Sequence, residues 1–189
     1  MKNTRSEEIF SAKVLKNTFL QNLEFIIGDS KEKHLPDLYT ANYDYGIEVT
    51  QLEKQKDFKP NLKNDELFHS IDWAKKEYEL GLTKKHNKLN GGNYSGINGK
   101  IDLCICAIKR QTSAFSPKLV LYLYKEICNK NDGRFFDRIF FISSTIVYVM
   151  YPNRVTDITP LTSKGIIYDF HIEGSNYIEE KKYQICEFK

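Results

Sequence analysis

Long apolar runs are missing from this 189-residue chain. The longest, IFFISSTIVYVMY at 139–151, falls short of the roughly 20 residues that a spanning helix needs. The opening MKNTRSEE places charge where a secretory signal would need an apolar segment. Both absences set the expectation of a cytoplasmic protein with no membrane partner. Charge of one sign is also scarce: the net charge is only +3, so attraction to nucleic acid would have to come from local lysine clusters.

Metal and nucleophile signatures are equally sparse. Cys104, Cys106, Cys128 and Cys186 form no CxxC pair, which removes the usual zinc frameworks and leaves buried, reduced thiols as the expectation. His34, His69, His86 and His171 show no HxxxH or HxH spacing, and no GxSxG elbow marks a serine hydrolase. The glycines at 91, 92, 96 and 99 are too irregular for a dinucleotide or P-loop fingerprint. No internal repeat or low-complexity tract is present.

What is there describes a packed globule. An apolar share of 41% and an aromatic share of 13% supply enough buried surface for one domain over 1–189, with a core over about 5–150 and a C-terminal extension over 151–189. Ile9, Phe10, Val14, Leu15, Thr18 and Phe19 predict an amphipathic helix over 5–20, capped by Thr4 or Ser6. Three short strands follow at 23–28, 35–40 and 46–52, with a turn at NYDYG that reads as a hairpin. After a lysine-rich turn ending at Pro60, Leu67, Ile71, Ala74 and Tyr78 predict a second helix over 64–80, ended near Gly81, and then a polar loop over 84–99. KIDLCICAI at 100–108 reads as a central strand, and Cys104 and Cys106 point the same way on it. A third helix over 116–130 carries Ser116 and Pro117 in cap and first-turn positions. Strands are expected at 136–144, 145–152, 165–172 and 183–188. The fold class is therefore α/β, with a mixed central sheet flanked by helices, additional C-terminal strands, and the fourth strand parallel to the third.

The stretch PDLYTANYDYGIEVTQ at 36–51 is the chemically suggestive part. Ile47 and Val49 belong on one strand face, Glu48 and Thr50 on the other. Asp37, on the neighbouring antiparallel strand, can approach Glu48 across the hairpin. Two such carboxylates offer the hard oxygens that Mg²⁺ or Mn²⁺ prefers. Asp37 could instead serve turn chemistry, whereas Glu48, flanked by apolar residues, must find a partner if buried.

Pro36-Asp37 and Glu48-Val49-Thr50 resemble the motif of the PD-(D/E)XK nucleases, whose fold is restriction-endonuclease-like, over roughly residues 5–110. The resemblance implies a metal-dependent endonuclease acting on nucleic acid, DNA before RNA, in a bacterial or mobile-element context. It also implies a metal shell of Asp37 and Glu48 completed by Glu7 or Glu8 on the first helix. As first-turn acids, those two glutamates equally suit the helix dipole. Thr50 departs from the pattern, standing where the family has a lysine that steadies charge on the phosphate. The resemblance then implies a lysine recruited from elsewhere, with Lys84, Lys85 and Lys88 as candidates and Gln51 as a polar neighbour. Without such a lysine, the alternative is an inactive module of the same fold that binds nucleic acid or a partner protein. Asp102 is left open between a turn role and the site, and Glu24 reads as exposed. A homodimer, with the C-terminal strands either at its interface or extending the sheet, is a further expectation.

Overall fold

The computed structural model describes residues 6–29, 34–51, 64–107, 117–131, 133–142, 146–152, 163–173 and 176–188. The expected caps Thr4 and Ser116 and the turn at Pro60 lie outside the described residues. In chain order the elements are α1 (Ser6–Thr18), β1 (Ile26–Ile27), β2 (Leu38–Tyr39), β3 (Tyr45–Thr50), α2 (Asn64–Asn90), β4 (Lys100–Cys106), α3 (Pro117–Lys130), β5 (Ile139–Ile142), β6 (Ile146–Met150), β7 (Ser163–Glu173) and β8 (Asn176–Phe188).

All eight strands join one sheet in the order of the chain, β1 to β8. The pairs β3–β4 and β4–β5 are parallel, and every other neighbouring pair is antiparallel. Parallel neighbours cannot be joined by a tight turn, and α2 and α3 are the crossovers that connect them. The expected α/β class, mixed sheet and parallel third and fourth strands are all present. The C-terminal strands extend the sheet through β6, β7 and β8.

Strand alternation divides the core between two faces. Ile47 and Val49 of β3, Cys104 of β4, and Phe140 and Ile142 of β5 pack with Val14 and Leu15 of α1. Leu103 and Ile105 of β4 and Ile139 and Phe141 of β5 pack on the other face, with Tyr78, Leu82 and Leu89 of α2 and Leu123, Tyr124 and Ile127 of α3. Each such side chain contributes about 1.5–3 kcal/mol when fully withdrawn from water. Helices thus cover both faces of the parallel centre. Among the described residues no helix is long and apolar enough to cross a membrane.

Several boundaries differ from the sequence reading, among them the last strand, which runs over Asn176–Phe188 where 183–188 is expected, and three that bear on the hairpin and the second helix. The first two strands contract to Ile26–Ile27 and Leu38–Tyr39. Leu23 is held in a turn by its N–H donating to the Leu20 carbonyl, and Pro36 has no N–H to give a ladder. The second helix runs to Asn90 instead of stopping near Gly81. Leu82, His86 and Leu89 continue its buried face beyond that glycine, and their packing outweighs a glycine cost of about 1 kcal/mol. The segment expected to be loop from residue 84 is therefore helical through Asn90, which matters for Lys85 and Lys88.

Candidate functional site

The hairpin brings the two motif carboxylates together by register alone. Leu38 pairs with Ile47, so the next step along the same ladder sets Asp37 across from Glu48. The Val49 N–H donates to Asp37 Oδ2 at 2.9 Å, fixing that carboxyl against the strand. Glu48, on the face opposite Ile47 and Val49, points toward α2 and is buried. Thr50 lies two residues further on the same strand, half-buried at its end.

Lys85 and Lys88 meet Glu48 from α2. Lys85 Nζ lies 2.6 Å and Lys88 Nζ 2.7 Å from the same carboxylate oxygen, Oε1. Residues three apart share a helix face, so the continuation of α2 past Gly81 is what aims both ammonium groups at one point. Lys85 also reaches toward the Val49 carbonyl at 3.5 Å. Lys84, on a different side of the helix, is exposed. Gln51 follows the end of β3 and is exposed as well.

The electrostatics separate the two acids. Burial, and then the charge of Glu48, push the Asp37 carboxyl above its ordinary range. Burial alone would do the same to Glu48, but Lys85 and Lys88 outweigh it and hold that carboxyl below its ordinary range. Two carboxylates and two ammonium groups therefore share one partly enclosed corner between β2, β3 and α2.

A further residue, absent from the sequence reading, closes this corner. Tyr94 is buried on the segment between α2 and β4. Gly92, at φ 75°, reverses the chain after the helix in a conformation that other residues adopt at a cost, and the Asn93 N–H donates to the Lys88 carbonyl at 3.4 Å. Tyr94 thereby folds back on the last turn of α2, with Lys88 Nζ 5.1 Å from its ring centroid. Burial, and then the nearby charge of Glu48, raise its phenol. The hydroxyl lies beside the Glu48 carboxylate and interacts with it, while neither that hydroxyl nor Glu48 Oε2 makes a hydrogen bond of ordinary geometry among the described residues.

The remaining candidates lie elsewhere. Glu7 and Glu8 occupy the first turn of α1, and that helix packs on the sheet face opposite Glu48. Asp102 shares the α1 face: it accepts from Tyr45 and from Arg138 Nε at 2.9 Å, which makes it part of a buried ion pair away from Glu48. Burial raises its carboxyl above the ordinary range. Glu24 pairs with Lys16 on the surface. His86 is buried beside Tyr124 and Phe135, and Cys104 and Cys106 are buried cysteines outside any disulfide.

The donor set suits a hard divalent cation in two respects: cross-strand carboxylates and a buried oxygen on Glu48 that makes no hydrogen bond of ordinary geometry among the described residues. Among the described residues, however, no three His, Cys, Asp or Glu side chains gather as a metal-binding group. No protein-family model, no protein of known function and no solved structure matches the chain.

Proposed function

We propose that this protein is a metal-dependent endonuclease with a restriction-endonuclease-like core, hydrolysing phosphodiester bonds in nucleic acid, DNA before RNA. The observation that carries the reading is the pair of lysines on Glu48. Thr50 cannot supply the positive charge that the PD-(D/E)XK pattern places two residues after its acid. Lys85 and Lys88 bring that charge to the same corner from the helix.

Asp37 and Glu48 would hold Mg²⁺ or Mn²⁺, which when bound activates water and offsets phosphate charge. Glu48 is kept ionised by its lysines, and Asp37 is fixed by the Val49 N–H. An ammonium group of α2 that turns from Glu48 Oε1 to a phosphoryl oxygen would neutralise the charge that grows there in the transition state. Hydrolysis then amounts to attack by water at phosphorus and departure of the sugar oxygen, which takes up a proton.

The test is cleavage of plasmid DNA, single-stranded DNA and RNA with Mg²⁺ or Mn²⁺. Wild type should cut at least one of them and Glu48→Ala none. Cleavage that survives Glu48→Ala overturns the site. A wild type that binds but never cuts selects the non-catalytic binding module instead.

A further inference from the structure

The two lysines are not equivalent in the structure. Lys88 is held twice, by Glu48 Oε1 at 2.7 Å and by the Tyr94 ring 5.1 Å from its Nζ. Lys85 is held by the same oxygen at 2.6 Å and by the Val49 carbonyl only at 3.5 Å. An ammonium over the face of an aromatic ring is attracted by the ring quadrupole even where water reaches it, as it does at Lys88, whose side chain is 37% exposed against 23% for Lys85. Tyr94 is 2% exposed and packs in the core between α2 and β4, so its ring is a fixed platform. The return of the chain at Gly92 sets that platform against the helix turn carrying Lys88.

Resting on the nuclease reading, we infer that Tyr94 is a positioning residue whose ring pins Lys88 to Glu48 and leaves Lys85 as the cation that turns to a phosphate group of the nucleic acid. Lys88 then serves the protein, keeping charge beside a buried carboxylate, and Lys85 serves the substrate. The contact to Lys88 is carried by the Tyr94 ring, whereas its hydroxyl faces the Glu48 carboxylate. A ring without the hydroxyl therefore keeps the contact to Lys88.

Nuclear magnetic resonance of the lysine Cε protons tests the placement without requiring cleavage. In wild type and Tyr94→Phe, ring current should move the Lys88 signals upfield of those of Lys85. In Tyr94→Leu they should return toward the position of an ordinary lysine. Lys88 signals indifferent to Tyr94→Leu overturn the positioning role. Titration of wild type with a short DNA duplex should then shift the Lys85 signals and leave those of Lys88 in place. Lys88 responding more than Lys85, or neither responding, overturns the assignment of Lys85.

Kinetics separate this inference from the reading beneath it. Lys85→Met should lower kcat by about 10²–10³. Tyr94→Leu and Lys88→Met should each lower it about tenfold at unchanged KM, the double variant no further than either alone, and Tyr94→Phe should restore most of the loss. Equal losses for Lys85→Met and Lys88→Met, in a wild type that cuts, defeat the inference alone. A wild type that cuts nothing defeats the nuclease reading, while the ring-current result still decides the Tyr94–Lys88 contact.

Discussion

Lys85 and Glu48 are joined by a 2.6 Å ion pair across a sequence separation of 37 residues, and it ties the second helix to the first hairpin. The pair is one of two on a single oxygen. Glu48 is 2% exposed at its side chain, against 23% for Lys85 and 37% for Lys88, so the acid carries most of the desolvation cost and the lysines are partly screened by water.

That redundancy predicts non-additive stability. Lys85→Met or Lys88→Met alone should cost about 1 kcal/mol, because the other ammonium still faces Glu48. The double variant leaves a buried carboxylate without a cation and should cost about 3–5 kcal/mol, more than the two single effects together. Urea unfolding of the four proteins measures the coupling. Strict additivity would mean that the second lysine does not share the load.

The Asp102–Arg138 pair lacks such a reserve. Asp102 is fully buried and Arg138 is its cation, 2.8 Å away. Arg138→Met should destabilise the fold by about 3–5 kcal/mol, and adding Asp102→Asn should recover part of that by removing the stranded charge. Because this pair lies on the α1 face, the effect should appear in denaturant midpoints and leave nucleic-acid binding per folded molecule unchanged.

His86 supplies a pH dependence. Burial lowers its imidazole below the ordinary value of 6.5, so the unfolded chain binds a proton that the folded chain resists. Its contribution is complete above pH 6.5 and is lost as pH falls from there through the lower folded value. Thermal midpoints of wild type and His86→Leu, compared between about pH 7 and 5, should therefore converge on acidification. Parallel curves would show that His86 does not titrate differently on unfolding.

Two glycines on the α2–β4 connection should respond differently. At Gly92 an added methyl meets open space, so Gly92→Ala should cost only the backbone strain of φ 75°, about 1–2 kcal/mol. At Gly99 the methyl would fall 1.8 Å from the Asp44 carbonyl oxygen, which itself accepts the Lys100 N–H at 3.1 Å. Gly99→Ala must displace backbone and should cost more than Gly92→Ala, as chemical denaturation of the two variants can show.

Much of this architecture is legible in the sequence because it is local. Gly46 and the alternation of Ile47, Glu48 and Val49 mark a strand, and a helix between two apolar strands marks a parallel crossover. The length of α2 was hidden because Gly81 imitates a helix end, and only packing of Leu82 and Leu89 against the sheet overrides it. The lysines could be nominated by chemistry, but their aim depends on the helix continuing in phase through Lys85 and Lys88. Tyr94 had no local signal: its meeting with Lys88 depends on the reversal at Gly92. The partners of Asp102 are likewise remote, Tyr45 at 57 residues and Arg138 at 36.

The sequential order of the sheet has a kinetic consequence. Every strand lies beside the strands that precede and follow it in the chain, so β1 to β3 and β5 to β8 can each assemble from near neighbours with little loop to close. The slow steps are the two crossovers, where whole helices must dock before β4 can join its neighbours. Asp37 and Glu48 belong to the early hairpin, while Lys85 and Lys88 arrive only with the first crossover. A nascent chain should thus carry its two carboxylates, uncompensated, until α2 closes over them, and the corner acquires its balanced charge as one of the last events of folding.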